Sequence, residues 1–136
     1  MNKNNIQWVE ADNSSMKQYI TLYLNNNQTY LNKKTKEKID FEFNYVKLGL
    51  DNKNKKLFIK PIPTNKEENF SLLQLTKFNS NTNKFSNVNF IKEILKILNE
   101  KNLSKKYKSL RISTTVEKKE DIGLVIIGDL DNISLN

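Results

Sequence analysis

The chain has 136 residues with no Cys and no His, 23 Lys and Arg against 15 Asp and Glu, and a mean hydropathy of −0.68. Those figures exclude disulfides, thiolate metal sites, thiol nucleophiles and imidazole acid–base chemistry, and they suit one domain, residues 1–136, large enough to bury a core unaided. No run approaches the roughly eighteen apolar residues of a membrane-spanning helix, and the first ten residues lack a signal-like apolar stretch, so a cytoplasmic protein without a membrane partner is expected.

In chain order, residues 6–11 (IQWVEA) alternate loosely and predict an edge strand carrying the single Trp, Trp8. Residues 17–24 alternate better: Ile20, Leu22 and Leu24 point one way and Tyr19, Thr21 and Tyr23 the other, with bulk on both faces as in a central strand. Asn25, Asn26 and Asn27 tolerate positive φ and turn the chain, so that Thr29, Tyr30 and Leu31 return as the second arm of a hairpin. Asn32 then stands where it can cap one helical turn ahead of Ile39. Phe41, Phe43 and Tyr45 alternate with polar residues before the phase slips to Val46, Leu48 and Leu50, which predicts a β-bulge near Tyr45. Asp51, Asn52, Lys53 and Asn54 make a polar turn, and Leu57, Phe58 and Ile59 a short strand. Pro61 and Pro63 are expected to end that strand, because neither can donate to a ladder. Phe70, Leu72, Leu73 and Leu75 supply a further strand, and residues 79–86 read as a polar loop.

The clearest helical periodicity covers residues 88–101. Val88, Ile91, Ile94, Leu95 and Leu98 share one face, Phe90 and Ile97 widen it, and Lys92, Glu93, Lys96 and Glu100 fall away from it. Ser86 or Asn87 can cap its start, and Lys101 with Asn102 suits its end. At about 1.5 Å per residue the rod would be roughly 20 Å long, enough to lie across four strands about 4.8 Å apart. Beyond a basic turn at residues 104–108, Leu110, Ile112, Thr114 and Val116 alternate inward, residues 117–121 turn, and residues 122–127 return. Strands outnumber helices and the connections are short. The predicted fold class is therefore α+β: a mainly antiparallel sheet of about six strands with one long amphipathic helix packed on a face.

Carboxylate and Lys chemistry is what the composition leaves. Asp129 and Asp131, two apart after the apolar run 124–127, would share a strand face able to hold Mg²⁺, against the plainer reading of a solvated strand exit. Glu117, Lys118 and Lys119 match the short E-x-K tail of a metal-dependent nuclease, but no upstream acidic partner is identifiable and the segment reads as a turn. The three Gly form no phosphate-cradling series. A non-enzymatic protein with no catalytic residues, no metal and no cofactor is expected.

Residues 33–60 carry nine Lys against four carboxylates. Two explanations compete: a surface for polyanions, or a Lys- and Asn-rich composition of the kind an AT-rich genome supplies. Tyr30, Phe41, Phe43, Tyr45 and Phe58 interleave with these cations, as core residues or as rings for base stacking. The candidate nucleic-acid-binding residues are Lys33, Lys34, Lys36, Lys47, Lys53, Lys55, Lys56 and Lys60, with Tyr45. Sequence-specific reading of a duplex is not expected, since Arg111 is the only Arg.

The run YLNKKTKEKIDFEFNYVKLGLDNKNKKLFIKPI, with the later NFIKEILKILNE and a closing hairpin, resembles small basic α+β proteins of unknown function from phages or mobile elements of AT-rich bacteria. The resemblance implies a setting in which small basic proteins bind nucleic acid or block host defence machinery such as CRISPR effectors, and it assigns no functional residue. Two readings follow. One is a nucleic-acid-binding protein that holds single-stranded or structured nucleic acid on a Lys-rich, aromatic-bearing sheet surface. The other is an anti-CRISPR-like inhibitor that acts by contact with a host nucleic-acid-binding protein. The sign of the charge excludes an acidic DNA mimic.

Overall fold

Alternation of apolar and polar residues gives each strand one inward face, and in this chain those faces close around a shared interior. The computed structural model describes residues 5, 7, 9, 17–69, 74–99 and 103–136, without the side chains at 68, 69 and 104. Among these are eight strands: β1 (Tyr19–Tyr23), β2 (Gln28–Leu31), β3 (Phe43–Asp51), β4 (Lys56–Pro63), β5 (Leu75–Asn79), β6 (Lys84–Ser86), β7 (Ser109–Lys119) and β8 (Gly123–Leu135). The helices are α1 (Lys33–Glu37), α2 (Val88–Leu98) and α3 (Leu103–Lys106), and a 3-10 turn spans Thr64–Asn69. Every ladder is antiparallel, and the order β1-β2-β6-β5-β3-β4-β8-β7 returns to β1 through the β1–β7 register Ile20↔Ile112.

This closed barrel overturns the expectation of a six-stranded sheet with a long helix on one face. The decisive element is β6. Its three residues, Lys84–Ser86, lie in a stretch that reads as polar loop, yet Thr29 and Phe78 both pair with Phe85, so β6 joins β2 to β5 and completes the circle. Ile20, Leu22, Leu31, Val46, Leu57, Ile59, Leu110, Ile112 and Ile126 are fully buried within it. Eight strands leave an interior that side chains just fill, and closure removes the exposed strand edges that an open sheet would present.

The helices close the ends. Helix α2 is shorter than expected: Asn99, in the left-handed conformation at φ 52°, terminates it, and the predicted terminal residues 100–102 lie outside the described residues. Its inward face is Phe90, Ile91 and Ile94, with Leu95, Ile97 and Leu98 half-buried and Val88 48% exposed. Those residues share a cluster with inward-pointing barrel residues, Phe90 meeting Phe85 at 6.0 Å between ring centroids, so α2 seals an end and does not lie across a wall. Helix α1 closes the other end: Thr35 is buried with its hydroxyl 3.1 Å from that of Thr114, and Ile39 joins the core.

Two expectations about strand irregularity have different outcomes. The bulge near Tyr45 is present, as a register shift between Phe43 and Tyr45. Of the two prolines expected to end β4, Pro61 does not: the strand runs on opposite β3 and ends at Pro63, in the pair Phe43↔Pro63. The Lys55 carbonyl accepts the Leu130 N–H, so odd-numbered residues of β4 turn their backbone groups toward β8, and that ladder stops at Ile59↔Ile126. The two prolines thus sit where no ladder N–H is needed. The segment after residue 128, read as a strand exit, is the second half of β8: residues 129–132 stand opposite a single β7 residue, with Leu130 buried in the core, before pairing resumes at Ile112↔Ile133. Most of the strand expected at residues 6–11, and Phe70, Leu72 and Leu73, lie outside the described residues. No helix among the described residues is long and apolar enough to cross a membrane.

Candidate nucleic-acid interface

Antiparallel pairing decides which of the nine candidate residues are neighbours. Residues in α1 and residues in the β3–β4 turn are at opposite ends of the β3–β4 hairpin, whose nine-residue arm spans about 25–30 Å. Lys33, Lys34 and Lys36 occupy the α1 end, where the Lys36 ammonium lies 5.1 Å from the centroid of the Phe43 ring. Lys53, Lys55 and Lys56 gather at the turn. Lys47 and Lys60 face each other across the middle of the hairpin on the outer wall, both engaged in further contacts, and Tyr45 points outward beside them opposite Lys77. The nine residues therefore form three groups along the hairpin and do not make one patch.

The turn group is also surrounded by carboxylates. Lys55 is 3.8 Å from Asp131 and Lys56 3.5 Å from Asp129, both brought in by the β8 bulge. These exposed pairs contribute little stability, on the order of 0–1 kcal/mol, but they cancel charge locally. Asp51 accepts hydrogen bonds from the Asn54 side chain (2.8 Å) and the Asn54 backbone N–H (3.1 Å), and these bonds, the side-chain one foremost, hold its carboxyl below the ordinary value of 3.8. Asp129 accepts the Asp131 N–H at 3.0 Å, and Glu117, in β7 and not in a turn, accepts the Thr115 hydroxyl at 3.2 Å. An open groove of about 510 Å³ runs over this side, with Phe58 and Ile127 among its apolar lining and Asp51, Lys56, Glu117 and Asp129 among its charges. Among the described residues no three acidic side chains converge as a metal site would require.

The wall that continues from β7 around the barrel, away from β8, differs. Residues 19–23, 28–31, 75–79, 84–86 and 109–115, which make β1, β2, β5, β6 and the first part of β7, include no Asp or Glu. Since Ile20, Leu22, Leu31, Leu110 and Ile112 fill the interior, alternation turns Tyr19, Thr21 and Tyr23 of β1, Tyr30 of β2 and Arg111 of β7 outward. Lys84 pairs with Tyr30 across β2–β6, which puts Arg111, Thr21, Tyr30, Lys84 and Asn79 in one row across five strands. Thr21 is 6% exposed because Tyr30 and Arg111 flank it. The Arg111 guanidinium lies 4.5 Å from the Tyr19 ring centroid and the Lys84 ammonium 5.0 Å from that of Tyr23. Such contacts contribute about 0.5–1 kcal/mol at exposed sites. A second open groove, about 570 Å³, adjoins this wall and is lined by Gln28, Lys77, Asn79, Lys84 and Ser86.

Sequence reasoning missed this face, although the signal was present. Tyr19 and Tyr23 alternate with Ile20 and Leu22, but a strand with bulk on both sides reads equally well as one buried on both sides, and only closure of the barrel makes the tyrosine side the outer one. The chain matches no family model, no curated protein and no solved structure.

Proposed function

We propose that the protein binds a polynucleotide, without catalysis, on the carboxylate-free wall formed by β1, β2, β6, β5 and the first part of β7, residues 109–115. The observation that carries this reading is the segregation of charge around the barrel. Lys84 and Lys77 project from strands that hold no Asp or Glu, Arg111 projects from the first part of β7, residues 109–115, which holds none either, and the same wall continues past Lys77 to Tyr45, Lys47 and Lys60. The acidic residues Asp51, Glu117, Asp129 and Asp131 collect on the other side, where they meet Lys55 and Lys56. A one-signed wall attracts phosphates and releases their counterions, and the net charge of +8 adds a favourable long-range field. The tyrosines supply contacts that do not depend on sequence, and the scarcity of Arg speaks for backbone binding over base-edge reading. The phage or mobile-element setting implied by the resemblance agrees with this function.

The test is a salt titration of binding by fluorescence anisotropy. Changing Lys77, Lys84 and Arg111 together to Glu should weaken binding and reduce the slope of log affinity against log salt by roughly 0.7–0.9 for each phosphate no longer neutralised. Changing Lys55 and Lys56 to Glu should have the smaller effect, since Asp131 and Asp129 already offset those charges. A wild-type protein that binds no polynucleotide at low salt, yet copurifies with a host nucleic-acid enzyme in a complex that survives nuclease, would overturn the proposal in favour of inhibition by protein contact.

A further inference from the structure

Tyr30 stands opposite Thr21 in the β1–β2 ladder, so Tyr19 and Tyr23 are its two diagonal neighbours on the outer wall. Diagonal neighbours in an antiparallel pair are about 7–8 Å apart. We infer that this triangle is a stacking platform for unpaired bases, and that the ligand of the wall is a single strand whose bases rest on Tyr19, Tyr30 and Tyr23. The inference depends on the polynucleotide-binding reading of the same wall and names its substrate class.

Spacing excludes the duplex as the preferred form. Bases in a duplex are stacked at about 3.4 Å along each strand and cover one another's faces, so they cannot occupy separate rings at twice that distance. An unpaired strand can splay its bases onto such rings. The rings are also held in advance: all three are half-buried on a closed wall, between strands that pair on both sides. Arg111 over Tyr19 and Lys84 over Tyr23 do not block the platform. A cation over a half-buried ring at the surface is held more weakly than a stacked base, so an arriving base displaces it, and the freed cation stays close enough to meet the adjoining phosphate. Gln28, Asn79 and Ser86 in the neighbouring groove add polar groups for phosphate and sugar. A tyrosine face accepts any base, so the platform discriminates by strandedness and not by sequence.

The experiment compares four probes on the full chain at low salt: a short oligo-dT strand, the same strand with its bases removed, a duplex, and inorganic polyphosphate. The base-bearing strand should bind at least about 20-fold more tightly than its abasic counterpart, a comparison made on the wild-type protein and so independent of how any variant folds. Tyr23→Leu and Tyr30→Leu should each weaken oligo-dT binding by about 5- to 150-fold while leaving the abasic strand unaffected, and Tyr30→Phe should restore binding. Equal affinity for the base-bearing and abasic strands would overturn the platform and leave the polynucleotide reading in place. A duplex bound as tightly as the single strand would overturn the strand assignment. No binding of any probe would overturn both readings.

Discussion

Gly128 stands directly opposite Leu57 in the β4–β8 ladder, and a Cβ at Gly128 would lie 2.6 Å from Leu57 Cγ. Leu57 is fully buried in the barrel interior and has no room to give way. Gly128→Ala should therefore destabilise the protein by about 1–3 kcal/mol, as overpacking of a filled core does. Gly49→Ala is the control: its Cβ would meet Phe58 Cβ at an ordinary 3.8 Å, and the change should stay within about 0.5 kcal/mol. Urea unfolding of the two variants checks the contrast, and equal stabilities would refute the close approach.

Asn32 joins α1 to β1. Its Oδ1 accepts from the Thr35 N–H at 3.0 Å, the Thr35 hydroxyl at 2.6 Å and the Tyr19 N–H at 3.1 Å, while its Nδ2 donates to the Lys17 carbonyl at 2.6 Å. Asn32→Ala removes the cap and leaves buried donors unpaired, so a loss of about 2–4 kcal/mol is expected. A thermal midpoint within error of wild type would show that the end of the barrel holds α1 without it.

Helix α2 should tolerate change in proportion to how far each residue reaches into the barrel. Ile94→Ala, at a fully buried position, should cost about 2–5 kcal/mol. Leu95→Ala, half-buried, should cost less, and Val88→Ala, on the exposed side, under about 0.5 kcal/mol. If Leu95 proved as costly as Ile94, the helix would have to be rotated about its axis from the orientation described.

Asp51 makes the β3–β4 turn sensitive to acid. Its folded pKa lies below the unfolded value, so the turn's contribution is complete above about pH 4 and is lost as the pH falls through the lowered value. Asn54→Ala removes the principal cause and should move the Asp51 titration, followed by NMR at the carboxyl carbon, up toward 3.8. An unmoved midpoint would assign the shift to the backbone N–H of residue 54, which the substitution leaves in place, together with Lys53.

Local features are legible in the residue order itself. The β1–β2 hairpin with its Asn turn, the Asn32 cap and the Asn87 cap of α2, whose Oδ1 accepts the Phe90 N–H at 3.0 Å, arise from interactions within a few residues of one another, and the bulge near Tyr45 shows as a slip in the alternation of β3. Short-range sterics and hydrogen bonds suffice for the hairpin and the caps, so no distant part of the chain is needed to specify them. The absence of Cys and His, and with it the exclusion of thiol and imidazole chemistry, also belongs to the sequence.

Closure of the barrel, the depth of each helix and the composition of the tyrosine-bearing wall were decided by tertiary structure alone. A period of two states that a strand has two faces, but not which one turns inward; that depends on the strands that pair with it, and β1 finds β7 from the far end of the chain. The same long-range pairing sets Asp129 and Asp131 beside Lys56 and Lys55, and Arg111 beside Tyr19, so a run of cations dense in sequence is partly cancelled while a single distant Arg joins the tyrosines. Charge adds up in space and not along the chain, and for that reason the lysine-rich segment was plain in the sequence and the tyrosine wall was not.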